Sequence, residues 1–188
     1  MTSPDPAFAV LHDDVRSVLE GWSHLEPEQL ALRDQYLDFL DAHPDALSRE
    51  CGVGHVTASA LVMDDDRSRV LLTLHPKVGR WLQLGGHCEV GDATFRDAVL
   101  RETIEESGIQ DAQVSATPLR LDRHPVPCGG RMSEHLDVEF LALVPVDATA
   151  VMSDESDDLR WFSIDDLPRG LDDAVRRMID TAVAGHPM

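Results

Sequence analysis

Apolar positions in the first fifty residues recur at helical spacing. Phe8, Leu11, Val15, Val18 and Leu19 form one stripe within residues 6–20, with Pro6 near its start and Gly21 just past its end. Pro27 opens a second helical segment, with Leu30, Leu37 and Leu40 on one side and Tyr36 beside them, running to "HPDAL". From residue 55 the period shortens. "HVTASALVM" and "RVLLTLH" are β-rich runs on either side of the turn cluster "DDDRS", which reads as a hairpin. "RWLQL" reads as a third strand running into Gly85 and Gly86. "PLRLDRHPV" and "HLDVEFLALV" read as a further pair around the loop "PCGGRMSE". "LRWFSI" is short and extended. "LDDAVRRMIDTAVA" closes the chain as an amphipathic helix, with Leu171, Val175, Met178 and Ile179 inward and Gly185 as its stop. Strands first, one helix among them and a terminal helix predict a mixed sheet covered by helices, preceded by a helical pair that covers a sheet face or forms dimer contacts.

The helix among the strands is the unusual element. Thr94 and Asp97 make a capping box that starts it near Phe95, and Gly108 supplies a left-handed stop. Glu102, Glu105 and Glu106 then fall within about 100° of arc, with Leu100 and Ile104 on the opposite side. Like charges at this spacing cost about 0.2–0.5 kcal/mol per pair. The C-terminal end of a helix dipole also disfavours anions. A hard cation bound through oxygen ligands, Mg2+ or Mn2+, would offset both penalties.

Composition narrows the partners. The 188 residues allow one good core with a small appendage, and the 43% hydrophobic and 27% charged content is that of a globular chain. Thirty-five acids against 16 bases give a net charge of −19, which opposes duplex nucleic acid and anionic membrane surfaces. No apolar run reaches the roughly 18 residues of a membrane span, and "MTSPDPAFAV" lacks the pattern of a secretory signal. Cys51, Cys88 and Cys128 are odd in number and far apart, as expected of reduced packing thiols in a cytoplasmic protein. His87 and Cys88 would begin a zinc site, but no C-x-x-C or H-x3-H pair accompanies them, so zinc is not expected. In so negative a chain, a phosphate substrate would need a bound divalent cation to reverse the local field.

The run R-E-x-x-E-E-x-G behind a Gly pair resembles the Nudix box of the Nudix hydrolase (MutT-like) family, G-x5-E-x7-R-E-U-x-E-E-x-G-U with U aliphatic. Gly86, Arg101, Glu102, Glu105, Glu106, Gly108 and Ile109 match it. Asp92 stands where the family has its first Glu, eight rather than seven residues separate it from Arg101, and Thr103 occupies an aliphatic position. The resemblance covers a box at residues 86–109 and more weakly its flanks. Residues 1–50 have no part in it, and their helical pair reads as an N-terminal helical extension; the resemblance implies a Nudix domain over 51–188, an α/β/α sandwich with a mixed β-sheet.

The resemblance also implies a chemistry: hydrolysis, with Mg2+ or Mn2+, of a diphosphate linkage in a nucleoside diphosphate derivative such as ADP-ribose, a nucleotide sugar or an oxidised nucleoside triphosphate. Glu102, Glu105 and Glu106 would be metal ligands, Glu102 also the general base, and the Gly85 carbonyl would complete the shell. Arg101 would pair with Glu102 and hold its rotamer, the plain alternative being a surface ion pair with Asp97 or Glu105. Relatives in which the base comes from a later loop make Glu155 a second candidate, and Glu139 a further candidate ligand. Arg80, Lys77, Arg123 and His87 are candidates for the phosphates and Trp81 for a base. Pro125, 16 residues past Ile109, has a spacing seen in relatives that cleave ADP-ribose. Two other readings remain: a nucleotide-binding module without turnover, and a prenyl-diphosphate isomerase, for which Cys88 would be the cysteine.

Overall fold

The computed structural model describes residues 6–24, 26–128, 130–153 and 156–188. In chain order the elements are α1 (Ala9–Gly21), α2 (Pro27–Ala42), β1 (His55–Asp64), β2 (Arg69–His75), β3 (Arg80–Leu82), β4 (Leu84–His87), α3 (Phe95–Ser107), β5 (Gln113–Val114), β6 (Arg120–Cys128), β7 (Arg131–Val144), β8 (Asp158–Ser163) and α4 (Asp173–Val183). The α/β class is the one read from the sequence. The strands pair in the order β3-β2-β1-β7-β5, with β4 on β1, β6 on β7 and β8 on β2. Two compact units emerge: residues 1–58, 86–98 and 120–138 make one, and residues 59–85, 99–119 and 139–188 the other.

In the first unit the N-terminal helices are tied to β6 by polar contacts. The expected apolar side of α2 gives way to a face whose buried residues are Gln29, Tyr36 and Leu40. Backbone partners explain it. Gln29 Nε2 donates to the Leu121 carbonyl at 3.1 Å and its Oε1 accepts from the Leu121 amide at 2.8 Å, as a neighbouring strand would. Tyr36 Oη donates to the Asp122 carbonyl at 2.7 Å, and Glu26 holds the buried Arg120 guanidinium through both oxygens, at 2.7 and 2.9 Å. Burying a polar side chain is tolerable when every hydrogen bond is replaced.

In the second unit, β1, β2 and β7 set Leu61, Met63, Val70, Leu72 and Leu141 against Val175, Met178, Ile179 and Ala182 of α4. The β1–β2 hairpin is antiparallel, Val62 opposite Leu71. Asp64 at its turn accepts from the Ser68 and Arg69 amides, at 2.8 and 2.9 Å, and from Arg69 Nε at 2.8 Å. Arg67 adopts φ 57° in that turn and reaches the end of α4, donating to the carbonyls of Ala182 and His186 at 2.6 and 2.7 Å. Ala182 O also accepts from the Gly185 amide at 3.2 Å, so Arg67 reinforces a helix end that its own backbone already closes.

Three elements differ from expectation. "RWLQL" is two strands, because the chain changes partner: β3 pairs with β2 and β4 with β1, and Gly85 takes φ 149°, a value side chains resist. Most of the loop "PCGGRMSE" is strand, since β6 reaches Cys128 and β7 starts at Arg131. The two-residue β5, paired to β7 through Gln113–Leu143 and Val114–Ala142, is too short to carry a periodicity.

Candidate active site

Helix α3 begins where the capping box places it. The Thr94 amide and hydroxyl donate to Asp97 Oδ2 at 3.0 and 2.8 Å, and the Asp97 amide donates back to Thr94 Oγ1 at 3.2 Å. Asp14 adds a second carboxylate at this positive helix end, accepting from the Phe95 amide at 2.7 Å. Gly108 closes the helix at φ 71°, its amide donating to Ile104 O at 2.7 Å.

The buried face of α3 is Phe95, Ala98, Val99, Thr103 and Ser107. Leu100 and Ile104, expected to point into the core, are only half-buried. Thr103 and Ser107 take buried positions because their hydroxyls donate to carbonyls one turn back, Val99 O at 2.8 Å and Thr103 O at 2.5 Å. This accounts for a threonine where the box has an aliphatic residue.

On the other side the glutamates divide. Glu102 is 12% exposed and Glu105 58%. Arg101 Nη1 donates to Glu102 Oε1 at 2.9 Å and to Glu105 Oε2 at 3.0 Å, so one guanidinium holds both. Glu106 Oε2 accepts from the Gly85 amide at 3.0 Å, which ties the helix to the Gly pair. The donor set is therefore carboxylate oxygens beside a glycine backbone, the hard-oxygen chemistry that suits Mg2+ or Mn2+.

Other sequence candidates fall in several places. Arg80 pairs with Asp172 at 2.9 Å. Trp81 packs edge-on against Phe162, ring centroids 4.8 Å apart, with the Arg160 guanidinium 6.0 Å over its face. Lys77 is exposed and Glu139 is buried on β7. Asp92 accepts from the Glu89 amide at 2.7 Å, shaping the loop before the helix. Arg123 pairs with Glu134, and Cys51 and Cys88 are buried and take no part in a disulfide. Glu155 lies outside the described residues.

His87 keeps company that the sequence reading missed. Its ring lies 4.9 Å from His55 and 5.4 Å from His135, and His135 lies 5.6 Å from His124. Burial, then the neighbouring His55, His87 and His124, push the His135 imidazole down to about 3, so it is neutral at physiological pH. No local spacing announces the group, because each member comes from a different strand.

Residues 54–182 match the model of the NUDIX domain. Comparison with curated proteins gives no match. A NUDIX-family hydrolase from Clostridium perfringens is 22% identical and superimposes with a TM-score of 0.58 over 70% of this chain and 98% of that one. A MutT NUDIX hydrolase from Burkholderia pseudomallei is 27% identical, with a TM-score of 0.54 over 67% and 95%. The NUDIX domain of Shewanella oneidensis NrtR, complexed with ADP ribose, is 20% identical, with a TM-score of 0.55 over 78% and 96%.

Proposed function

The chain belongs to the NUDIX family, and from that premise we propose that it hydrolyses the diphosphate linkage of a nucleoside diphosphate derivative, with ADP-ribose the first substrate to test and Mg2+ or Mn2+ as the metal. The observation that carries the reading is the fixed carboxylate pair: Glu102 held by Arg101, and Glu106 held by the Gly85 amide. Side chains of a merely solvated acidic face would not be held on both sides. ADP-ribose leads because the NrtR domain of similar fold was crystallised with it and because of the position of Pro125.

Glu102, Glu105 and Glu106, with the Gly85 carbonyl, would hold the metal. When bound, it supplies neutralisation of the phosphate charge and a lowered pKa for water. The chain's own residues do the rest. Glu102 takes the proton from the attacking water, and Arg101 keeps that carboxylate in one rotamer. The Gly85–Glu106 hydrogen bond fixes β4 to the helix, so the oxygen donors need little rearrangement. Arg80 exchanges Asp172 for a substrate phosphate, and Trp81 offers a flat apolar surface to the base. Glu155 is the second candidate for the base, and the pH–rate profiles of Glu102→Gln and Glu155→Gln distinguish the two, since only loss of the base removes the acidic limb.

The test is chromatography of products from a panel of ADP-ribose, nucleotide sugars, dinucleoside polyphosphates and nucleoside triphosphates with Mg2+ or Mn2+. AMP and ribose 5-phosphate from ADP-ribose, abolished by EDTA, are expected. Turnover that survives EDTA, or no product from any compound, overturns the proposal.

A further inference from the structure

Four adjacent strands each contribute one histidine to a common group that lies within the first unit. β4 carries His87, β1 His55, β7 His135 and β6 His124, and these strands are joined as β4–β1–β7–β6. Neighbouring strands lie about 4.7–4.9 Å apart. The ring separations of 4.9 Å for His55–His87 and 4.8 Å for His55–His135 are therefore those of residues standing side by side on one face. His55 is fully buried, and its neighbours are partly so. Among the described residues, the buried His135 Nε2 has no hydrogen-bond partner. Buried polar atoms are nearly always satisfied, and an absent ion is one of the few explanations for an exception.

We infer that His55, His87 and His135 form a three-histidine site for a zinc-class divalent ion, separate in chemistry from the carboxylates of α3. One ring nitrogen from each lies within 4.8 Å of the others. A tetrahedral zinc bonded at about 2.0–2.1 Å sets its nitrogen ligands roughly 3.4 Å apart, so small ring rotations close the site without moving a strand. Three imidazoles select Zn2+, Co2+ or Ni2+ over Mg2+, which prefers oxygen. His124 flanks the triad, its Nδ1 engaged by Asp122 Oδ2 at 2.8 Å. Three protein ligands leave one tetrahedral position for water or a ligand, as in zinc sites that stay reactive. The ion would also cross-link three strands, adding its binding free energy to the stability of the fold.

Tag-free protein, stripped of metal by chelation and dialysis, should be titrated with Zn2+ and, separately, Co2+. Binding of a single zinc ion per chain, a rise in melting temperature, and the intense visible absorption of four-coordinate Co2+ are expected. His87→Ala and His135→Ala, at the more exposed positions, should fold by circular dichroism and lose stoichiometric zinc and the cobalt spectrum. Glu106→Gln should keep both, which separates this site from the hydrolytic one. Wild-type protein that binds neither ion overturns the inference, as do folded His87 and His135 variants that bind zinc as the wild type does.

Discussion

The Gly85 amide donates to Glu106 Oε2 at 3.0 Å, joining the first glycine of the pair, within β4, to the last turn of α3. Glu106→Gln keeps an oxygen for that hydrogen bond but removes the charge that a cation needs. Turnover should fall by about a hundredfold or more, roughly 2.7 kcal/mol of transition-state stabilisation. The melting temperature should stay within a few degrees of wild type. Steady-state kinetics beside a thermal melt make the comparison, and near-normal rates would remove Glu106 from the site.

Arg101 contacts both Glu102 and Glu105 from a single nitrogen. Arg101→Ala frees both carboxylates to rotate and leaves their mutual repulsion uncompensated. Outer-shell changes of this kind cost about 10–100-fold in metal affinity or activity. The Mg2+ concentration for half-maximal rate should rise accordingly, while substrate KM at saturating metal changes little.

Asp64 governs acid stability at the β1–β2 turn. Burial alone would raise its carboxyl, but hydrogen bonds from the Arg69 amide and guanidinium and from Ser68 outweigh that and hold it below its ordinary 3.8. A group depressed by folding stabilises fully above its unfolded value and loses that contribution as pH falls through the folded one. Asp64→Asn should therefore cost about 2–3 kcal/mol near neutrality. The gap between variant and wild type in urea unfolding should close as pH drops below about 4. A gap that widens with acid would contradict this assignment.

Gly108 ends α3 in a left-handed conformation, and a Cβ placed there would stand 3.1 Å from Val151 Cβ. Val151 is itself docked, its amide donating to Ser107 O at 2.7 Å. Gly108→Ala should cost about 1–2 kcal/mol from backbone strain alone, read as a lower urea midpoint.

The elements that carry a period are legible in the sequence alone. The hairpin at Asp64–Arg69, the capping box at Thr94 and the stop at Gly108 rest on local chemistry that a single sequence displays. Less legible were features whose partners lie far along the chain. Gln29 and Tyr36 displaced Leu30 and Leu37 from the buried face of α2 because Leu121 and Asp122, some ninety residues on, offered backbone partners. The histidines at 55, 87, 124 and 135 share no spacing, and only strand order assembles them. Ligand sets within one helix can be read from i, i+3 and i+4, whereas sets spread over strands cannot.

The most direct test is an anomalous difference map from a crystal soaked in Mn2+ with a non-hydrolysable ADP-ribose analogue. A manganese peak within bonding distance of the Glu102 and Glu106 carboxylates and the Gly85 carbonyl is the expected result. Plain solvent against that face of α3, with the nucleotide bound, would contradict it.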